Sequence, residues 1–365
     1  MKRHLIRFIA SVEVLILVMT FCISVSASTP EVKRNTGERH EICETLSVSA
    51  EPYYRDHSYE LLSEQPSAVL LSTLRMLMKT THEYKSEYDD CRDQAYRVDS
   101  SGEDGKISLI YTSGESTRAN FGGSTGNWNR EHIWPKSLGG FGNSGAGADL
   151  HHIRPSDLTI NSTRGNLKFG NVDGGKNATG SSLVGGASGG TYNSVYFEPL
   201  DNAKGDVARI CLYVYARYGK ELVKCNDITN VFESVDVLLE WCMLDPVDEW
   251  EMGRNDIVGD IQGNRNVFID YPEYAWLIFD REVPEDMQTP SRAAREGTGA
   301  EAPEAPEAPE TPEVPGTSET PDTLLPEEVT DLLNNNAFKI VAACGVTAIV
   351  VGIITCAVII ERKRR

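Results

Sequence analysis

NREHIWPKSLGGFGNSGAGADLHHIRPSDLTINSTRGN, residues 129–166, gathers three of the chain's seven histidines, at positions 132, 151 and 152. Glu131 stands directly before His132, and the bulky run Ile133-Trp134-Pro135 follows. Adjacent residues on a strand point to opposite faces. Glu131 and His132 can therefore converge on one target only if the strand ends or bends there, which Pro135 favours. Asn161 lies beyond the His151-His152 pair in a segment starting near Ser156, with Ser156 or Asp157 placed to cap a helix.

These residue types suit phosphodiester hydrolysis. Activating water near neutral pH calls for a base such as imidazole, the part read for His132. A hard cation must take up charge on the phosphorane and the leaving oxygen, and carboxylate and carboxamide oxygens hold Mg²⁺ or Ca²⁺ best. Glu131 and Asn161 supply them. Residues 118–170 carry six basic side chains against three acidic ones, whereas the whole chain has a net charge of −19. A locally basic segment in an acidic protein points to an anionic substrate.

NREHIWPKS and then DLHHIRPSDLTINSTRGNLKFG resemble the bacterial endonuclease I family of secreted nucleases with a His-Me finger (ββα-metal) site. The likeness is strongest to Gram-positive extracellular nucleases and ribonucleases of that family. It continues through FEPLDNAKGDVARICLYVYARY (197–218) and DPVDEWEMGRNDIVGDIQGNRNVFIDYPE (245–273), and covers roughly 53–283. Family members usually show NRNPFIDHPE where this chain has Val267 and Tyr271. The resemblance implies that His132 is the general base, and that Glu131 and Asn161 are the metal ligands. The expected ion is Mg²⁺, with Ca²⁺ or Mn²⁺ able to replace it. His152 falls where many members carry an asparagine that braces the loop around the base. Arg164 and Asn166 match positions near the phosphate, with Lys168 close by, and Arg130, Arg154 and Arg164 are all candidates for the transition-state arginine. A structural or substrate-contact role is expected for His151.

Working outward, the sequence predicts an α+β fold in a single mixed domain over 43–286, since helices and short strands alternate without a βαβ rhythm. Within residues 62–83 the apolar residues after Pro66 (Val69, Leu70, Leu74, Met76 and Leu77) fall at helical spacing and make an amphipathic helix. Ile107–Tyr111 is a short strand, and helices cover 204–218 and 233–243. Lys204, Asp206 and Arg209 are expected to form ion pairs that dock the first of these two helices.

The ends read differently. Lys2, Arg3 and Arg7, the apolar run 14–25 and the Val25-Ser26-Ala27 exit make a signal peptide of residues 1–27. Residues 287–336 are a Pro/Glu-rich spacer with a repeated Ala-Pro-Glu unit. Fully extended, such a spacer reaches roughly 150 Å. From Gln288 to Asn336 there are 11 acidic and 2 basic residues, a net of −9, so about half of the chain's −19 lies outside the domain. A transmembrane helix is expected over 337–361, around the 21 uncharged residues Ile340–Ile360, followed by the basic tail 362–365. Together these imply a monomeric domain exported to a bacterial cell surface, held by one C-terminal helix and acting on DNA or RNA. Cys43, Cys91, Cys211, Cys225 and Cys242 lie in the exported part, and one or two disulfides with a buried free thiol are expected.

Rival readings exist. The three histidines could bind Zn²⁺, but no fourth ligand stands at the usual spacing. Asn161-Ser162-Thr163 and Asn177-Ala178-Thr179 fit the N-glycosylation pattern, and a glycan on Asn161 would exclude a metal there. A catalytically decayed nucleic-acid-binding adhesion module is the alternative from another class. A hydrolase of anionic wall polymers is the third reading, without a carboxylate pair to support it.

Overall fold

Pro66 stands immediately before the helix that the periodicity predicts. It has no N–H to donate and pushes the residue before it out of helical backbone. In the computed structural model, which describes residues 41–102, 105–112, 114–181 and 186–291, a short helix spans Tyr59–Ser63 and α1 spans Ser67–Thr80. α1 buries Leu70, Leu74, Leu77 and Met78, while Val69 and Met76, expected on the stripe, are exposed.

Four antiparallel strands come next, in two separate pairs. β1 (Lys106–Ser108) pairs with β2 (Glu115–Thr117), and β3 (Trp128–His132) pairs with β4 (Ile153–Asp157). The strand expected over 107–111 is shorter, because the chain turns after Ser108 and Tyr111 takes a left-handed φ of 76°. β4 runs straight into α2 (Leu158–Arg164), whose N-cap Asp157 accepts hydrogen bonds from the amides of Thr159 and Ile160. That cap satisfies two of the amides a helix start leaves open. Four short strands follow: β5 (Lys168–Phe169), β6 (Lys176–Thr179), β7 (Ser188–Tyr192) and β8 (Tyr196–Glu198). They form one sheet in the order β5-β8-β7-β6, parallel only between β5 and β8.

The remaining large elements are α3 (Lys204–Tyr218), α4 (Val235–Leu244) and α5 (Glu249–Gln262). α3 is buried on nearly every side and packs against α1 and α4. Its charged residues survive burial because each has a partner. Lys204 reaches Glu198 at 2.7 Å and Asp201 at 3.0 Å, Arg209 reaches Glu251 at 2.6 Å, and Asp206 reaches Arg154 at 3.3 Å. The expected docking role of Lys204, Asp206 and Arg209 is what these pairs perform. Trp134, Phe169, Phe197, Tyr213, Phe232 and Trp241 fill the core between this helix and the strands.

The architecture is α+β. All five described cysteines are free and buried, so the expected disulfides are absent among the described residues. Burial pushes the thiols of Cys91, Cys225 and Cys242 up to about 12, which keeps them protonated and unreactive. The packed body continues to Ser291, five residues into the stretch expected as spacer: Thr289 and Ser291 both donate to Glu273 Oε1. No helix among the described residues is long and apolar enough to cross a membrane. The expected signal peptide, membrane helix, basic tail and spacer beyond 291 lie outside the described residues.

Candidate active site

β3 separates the site residues by parity, as a strand must. Asn129 and Glu131 face α2. Arg130 and His132 face away from it, toward Tyr88. The hydrogen-bond and ring partners of Glu131 and His132 therefore come from opposite sides of the strand.

On the helix side, Glu131 is buried, and its Oε1 accepts from Tyr111 Oη at 2.8 Å and from Arg164 Nη1 at 3.1 Å. No described side chain donates to Oε2. Burial pushes the Glu131 carboxyl above its usual range, against the opposing pull of Arg164 and Tyr111. Asn161, on α2, donates from Nδ2 to Asn129 Oδ1 at 2.7 Å and to the Arg130 carbonyl at 3.3 Å. Because a carbonyl only accepts, the amide is fixed with Nδ2 toward β3, and Oδ1 is left as an acceptor with no described donor. Two hard oxygen atoms thus remain, one carboxylate and one carboxamide, a donor set that suits Mg²⁺, Mn²⁺ or Ca²⁺. No group of three His, Cys, Asp or Glu side chains able to hold a metal occurs among the described residues.

On the other side, a glycine-rich loop decides the chemistry of the histidines. His132 Nε2 meets the Gly147 carbonyl at 3.1 Å, so Nε2 carries the proton and Nδ1 keeps its lone pair. No described residue bonds Nδ1. Burial, then His152, lowers the His132 pKa to about 3, so the ring is neutral at physiological pH. His152 is held in the opposite tautomer: Nε2 accepts the Trp134 amide at 2.9 Å, and Nδ1 donates to the Ala146 carbonyl at 2.5 Å. Two successive loop carbonyls therefore hold the two imidazoles. Gly147 makes this possible, since a Cβ there would lie 1.8 Å from the Gly142 carbonyl oxygen. Tyr88 covers the same face of β3, with the Arg130 guanidinium 3.6 Å from its ring centre and the His132 ring stacked at 5.7 Å.

The other expected residues divide between support and surface. Arg164, read as a phosphate contact, is 1 % exposed and spends its guanidinium on Glu131 and on the carbonyls of His132 and Ile133. It braces the end of β3 instead. Arg154 is likewise buried, 2.9 Å from Asp99 and 3.3 Å from Asp206. Of the three candidate arginines only Arg130 is half-buried rather than sealed; it donates to the Tyr88 carbonyl and to Asp89. His151 is structural: its Nε2 donates to the Asn264 carbonyl at 2.8 Å, and its ring packs on Tyr213. Lys168 donates to the Thr229 carbonyl, and Asn166 accepts from Ser137 at the surface. Tyr111, Tyr88 and Asn129 escaped the sequence reading because their roles arise from contacts across the fold. Tyr111 had one weak signal, its place at the end of the expected 107–111 strand.

An Endonuclease I family model matches residues 68–273, more than half of the chain. The chain belongs to the endonuclease I family. An extracellular ribonuclease of Bacillus amyloliquefaciens is 43 % identical over 180 residues, covering 46 % of this chain and 60 % of the relative. One of Bacillus subtilis is 42 % identical over the same shares. A periplasmic deoxyribonuclease of Aeromonas hydrophila is 29 % identical over 128 residues, covering 33 % of this chain and 47 % of the relative. The chain thus spans about half to three-fifths of the length of these curated relatives. Residues 68–273 include β3, its glycine-rich loop, β4 and α2, so the site described above lies within the endonuclease I match.

Proposed function

We propose that this member of the endonuclease I family is an exported, metal-dependent nuclease that hydrolyses DNA, RNA or both without strong sequence preference, through a His-Me finger site. The observation that carries the reading is the tautomer of His132: the Gly147 carbonyl accepts a hydrogen bond from Nε2–H, which leaves Nδ1 with its lone pair as a neutral base. In this reading Nδ1 accepts a proton from the attacking water, and burial keeps the ring unprotonated until substrate arrives. Glu131 Oε2 and Asn161 Oδ1 hold Mg²⁺, or Mn²⁺ or Ca²⁺ in its place. A bound divalent ion supplies positive charge to the phosphoryl oxygens and the leaving 3′ oxygen, so the products carry 5′-phosphates. Arg130, with Lys136 nearby, is the cation placed to meet the phosphate beside His132. Contacts of that kind carry no base information and weaken as salt rises.

Support for the substrate class comes from relatives bearing both ribonuclease and deoxyribonuclease names, and support for export from relatives named as extracellular or periplasmic. Anchoring of a monomer at the cell surface rests on the sequence of 337–361 alone. The test incubates the purified chain and its His132→Ala variant with plasmid DNA and with ribosomal RNA, in Mg²⁺ and in EDTA. Metal-dependent cleavage that falls by at least about 10²-fold in the variant is expected, with circular dichroism unchanged. Binding without cleavage in either condition would replace this reading with the adhesion module.

A further inference from the structure

Tyr111 is fully buried, with its ring against Phe169 and Phe197 and its hydroxyl on Glu131 Oε1. It reaches that place through a backbone that L residues rarely adopt, with φ at 76°. The preceding amide, of Ile110, is docked on the Pro155 carbonyl of β4, so the segment is tied to the strand that pairs with β3. Strained backbone inside a well-packed region persists where surrounding contacts over-determine it, and such positions cluster at functional sites. Arg164 donates to the same oxygen from the other side of the site. Oε1 therefore has two side-chain donors, and Oε2 has no side-chain donor among the described residues.

We propose that Tyr111 is a positioning residue for Glu131: with Arg164 it occupies Oε1, leaves Oε2 as the single oxygen offered to a cation, and so biases the site toward Mg²⁺ over Ca²⁺. The inference rests on the reading that Glu131 holds the ion. Ca²⁺ takes six to eight oxygens and often engages both oxygens of a carboxylate, whereas Mg²⁺ keeps several waters and takes one or two carboxylates at single atoms. A glutamate limited to one oxygen, beside one asparagine oxygen, suits the smaller ion. Residues that orient a ligand in this way commonly change metal affinity by about 10- to 100-fold when removed.

The test is calorimetric titration of the full chain in detergent with Mg²⁺ and with Ca²⁺, for wild type, Tyr111→Phe and Glu131→Gln. Tyr111→Phe keeps the ring and removes the donor. It is expected to weaken Mg²⁺ binding by about tenfold and to shrink the preference for Mg²⁺ over Ca²⁺, with thermal unfolding and circular dichroism close to wild type. Placing 4-aminophenylalanine at 111 returns an N–H donor and should restore both affinity and preference. This second variant also serves if Tyr111→Phe fails to fold. Unchanged affinities in Tyr111→Phe, with Glu131→Gln clearly weakened, would overturn the proposal while leaving Glu131 as the ligand. Wild-type affinity in Glu131→Gln would overturn the metal reading itself, and the proposal with it.

Discussion

The two faces of β3 hold their functional side chains by different means. On the α2 face, Glu131 is fixed by side-chain donors, Tyr111 and Arg164, and Asn161 is fixed by donating to oxygens of the strand, Asn129 Oδ1 and the Arg130 carbonyl. On the opposite face, His132 and His152 are fixed by carbonyls of a glycine-rich loop. The difference follows from chemistry. A carboxylate is an acceptor and needs donors, which buried cations and hydroxyls supply without screening by water. A neutral imidazole needs its proton placed on a chosen nitrogen, and a backbone carbonyl does this without adding charge. One face therefore depends on a charge network, and the other on loop shape.

Breaking the charge network should have the largest effect on stability. Arg164→Ala leaves the buried Glu131 without its cation and the carbonyls of His132 and Ile133 without their donor. Removing one member of a buried pair costs about 3–5 kcal/mol, which urea unfolding would measure. A loss below about 1 kcal/mol would mean that Glu131 is not held as described.

Breaking the loop should act on turnover rather than on stability. Gly147→Ala cannot fit without moving the loop, because its Cβ would meet the Gly142 carbonyl oxygen at 1.8 Å. The Gly147 carbonyl then leaves His132. We expect kcat to fall by about 10- to 100-fold while KM changes little, as misplacement of a general base implies. Equal losses in an Arg164→Ala and a Gly147→Ala enzyme would erase the contrast between the faces.

The smallest expected effect concerns pH. His152 has its pKa lowered to about 4 by burial, against about 6.5 when unfolded. Below pH 6.5 the unfolded chain binds a proton that the folded chain does not, so stability falls as pH falls toward about 4. Each such histidine contributes a slope of about 1.4 kcal/mol per pH unit. His132, His151 and His82 act in the same direction, and Glu131, whose pKa is raised by burial, acts in the opposite one. An asparagine offers one donor and one acceptor, as neutral His152 does, so His152→Asn should fold and cut nearly as well. Its stability curve between pH 6.5 and 4 should be shallower than wild type by that one histidine. Identical curves would mean that His152 is protonated in the fold.

Much of the scaffold was legible. The helix 204–218 has the bounds its spacing implies, and Asp157 caps α2 as its position before an apolar turn suggests. Other parts were not. Strands β5 to β8 are two to five residues long, too short for alternation to declare itself. Val69 and Met76 read as core because an apolar residue near the stripe looks alike whether its neighbours cover it or not. The free cysteines illustrate the same limit, since the count and an exported setting permit disulfides but pairing requires proximity.

The sequence by itself determined the family and the α+β class and singled out His132, Glu131 and Asn161, because local motifs carry residue type and spacing. Tertiary structure decided which nitrogen of His132 carries the proton, which arginines are sealed, and which oxygen of Glu131 has no side-chain donor. Those properties depend on partners from distant parts of the chain, 33 positions away for the Arg164–Glu131 contact and 55 for Arg154–Asp99. Spacing along a strand says which face a side chain takes, and only the packed fold says what meets it there.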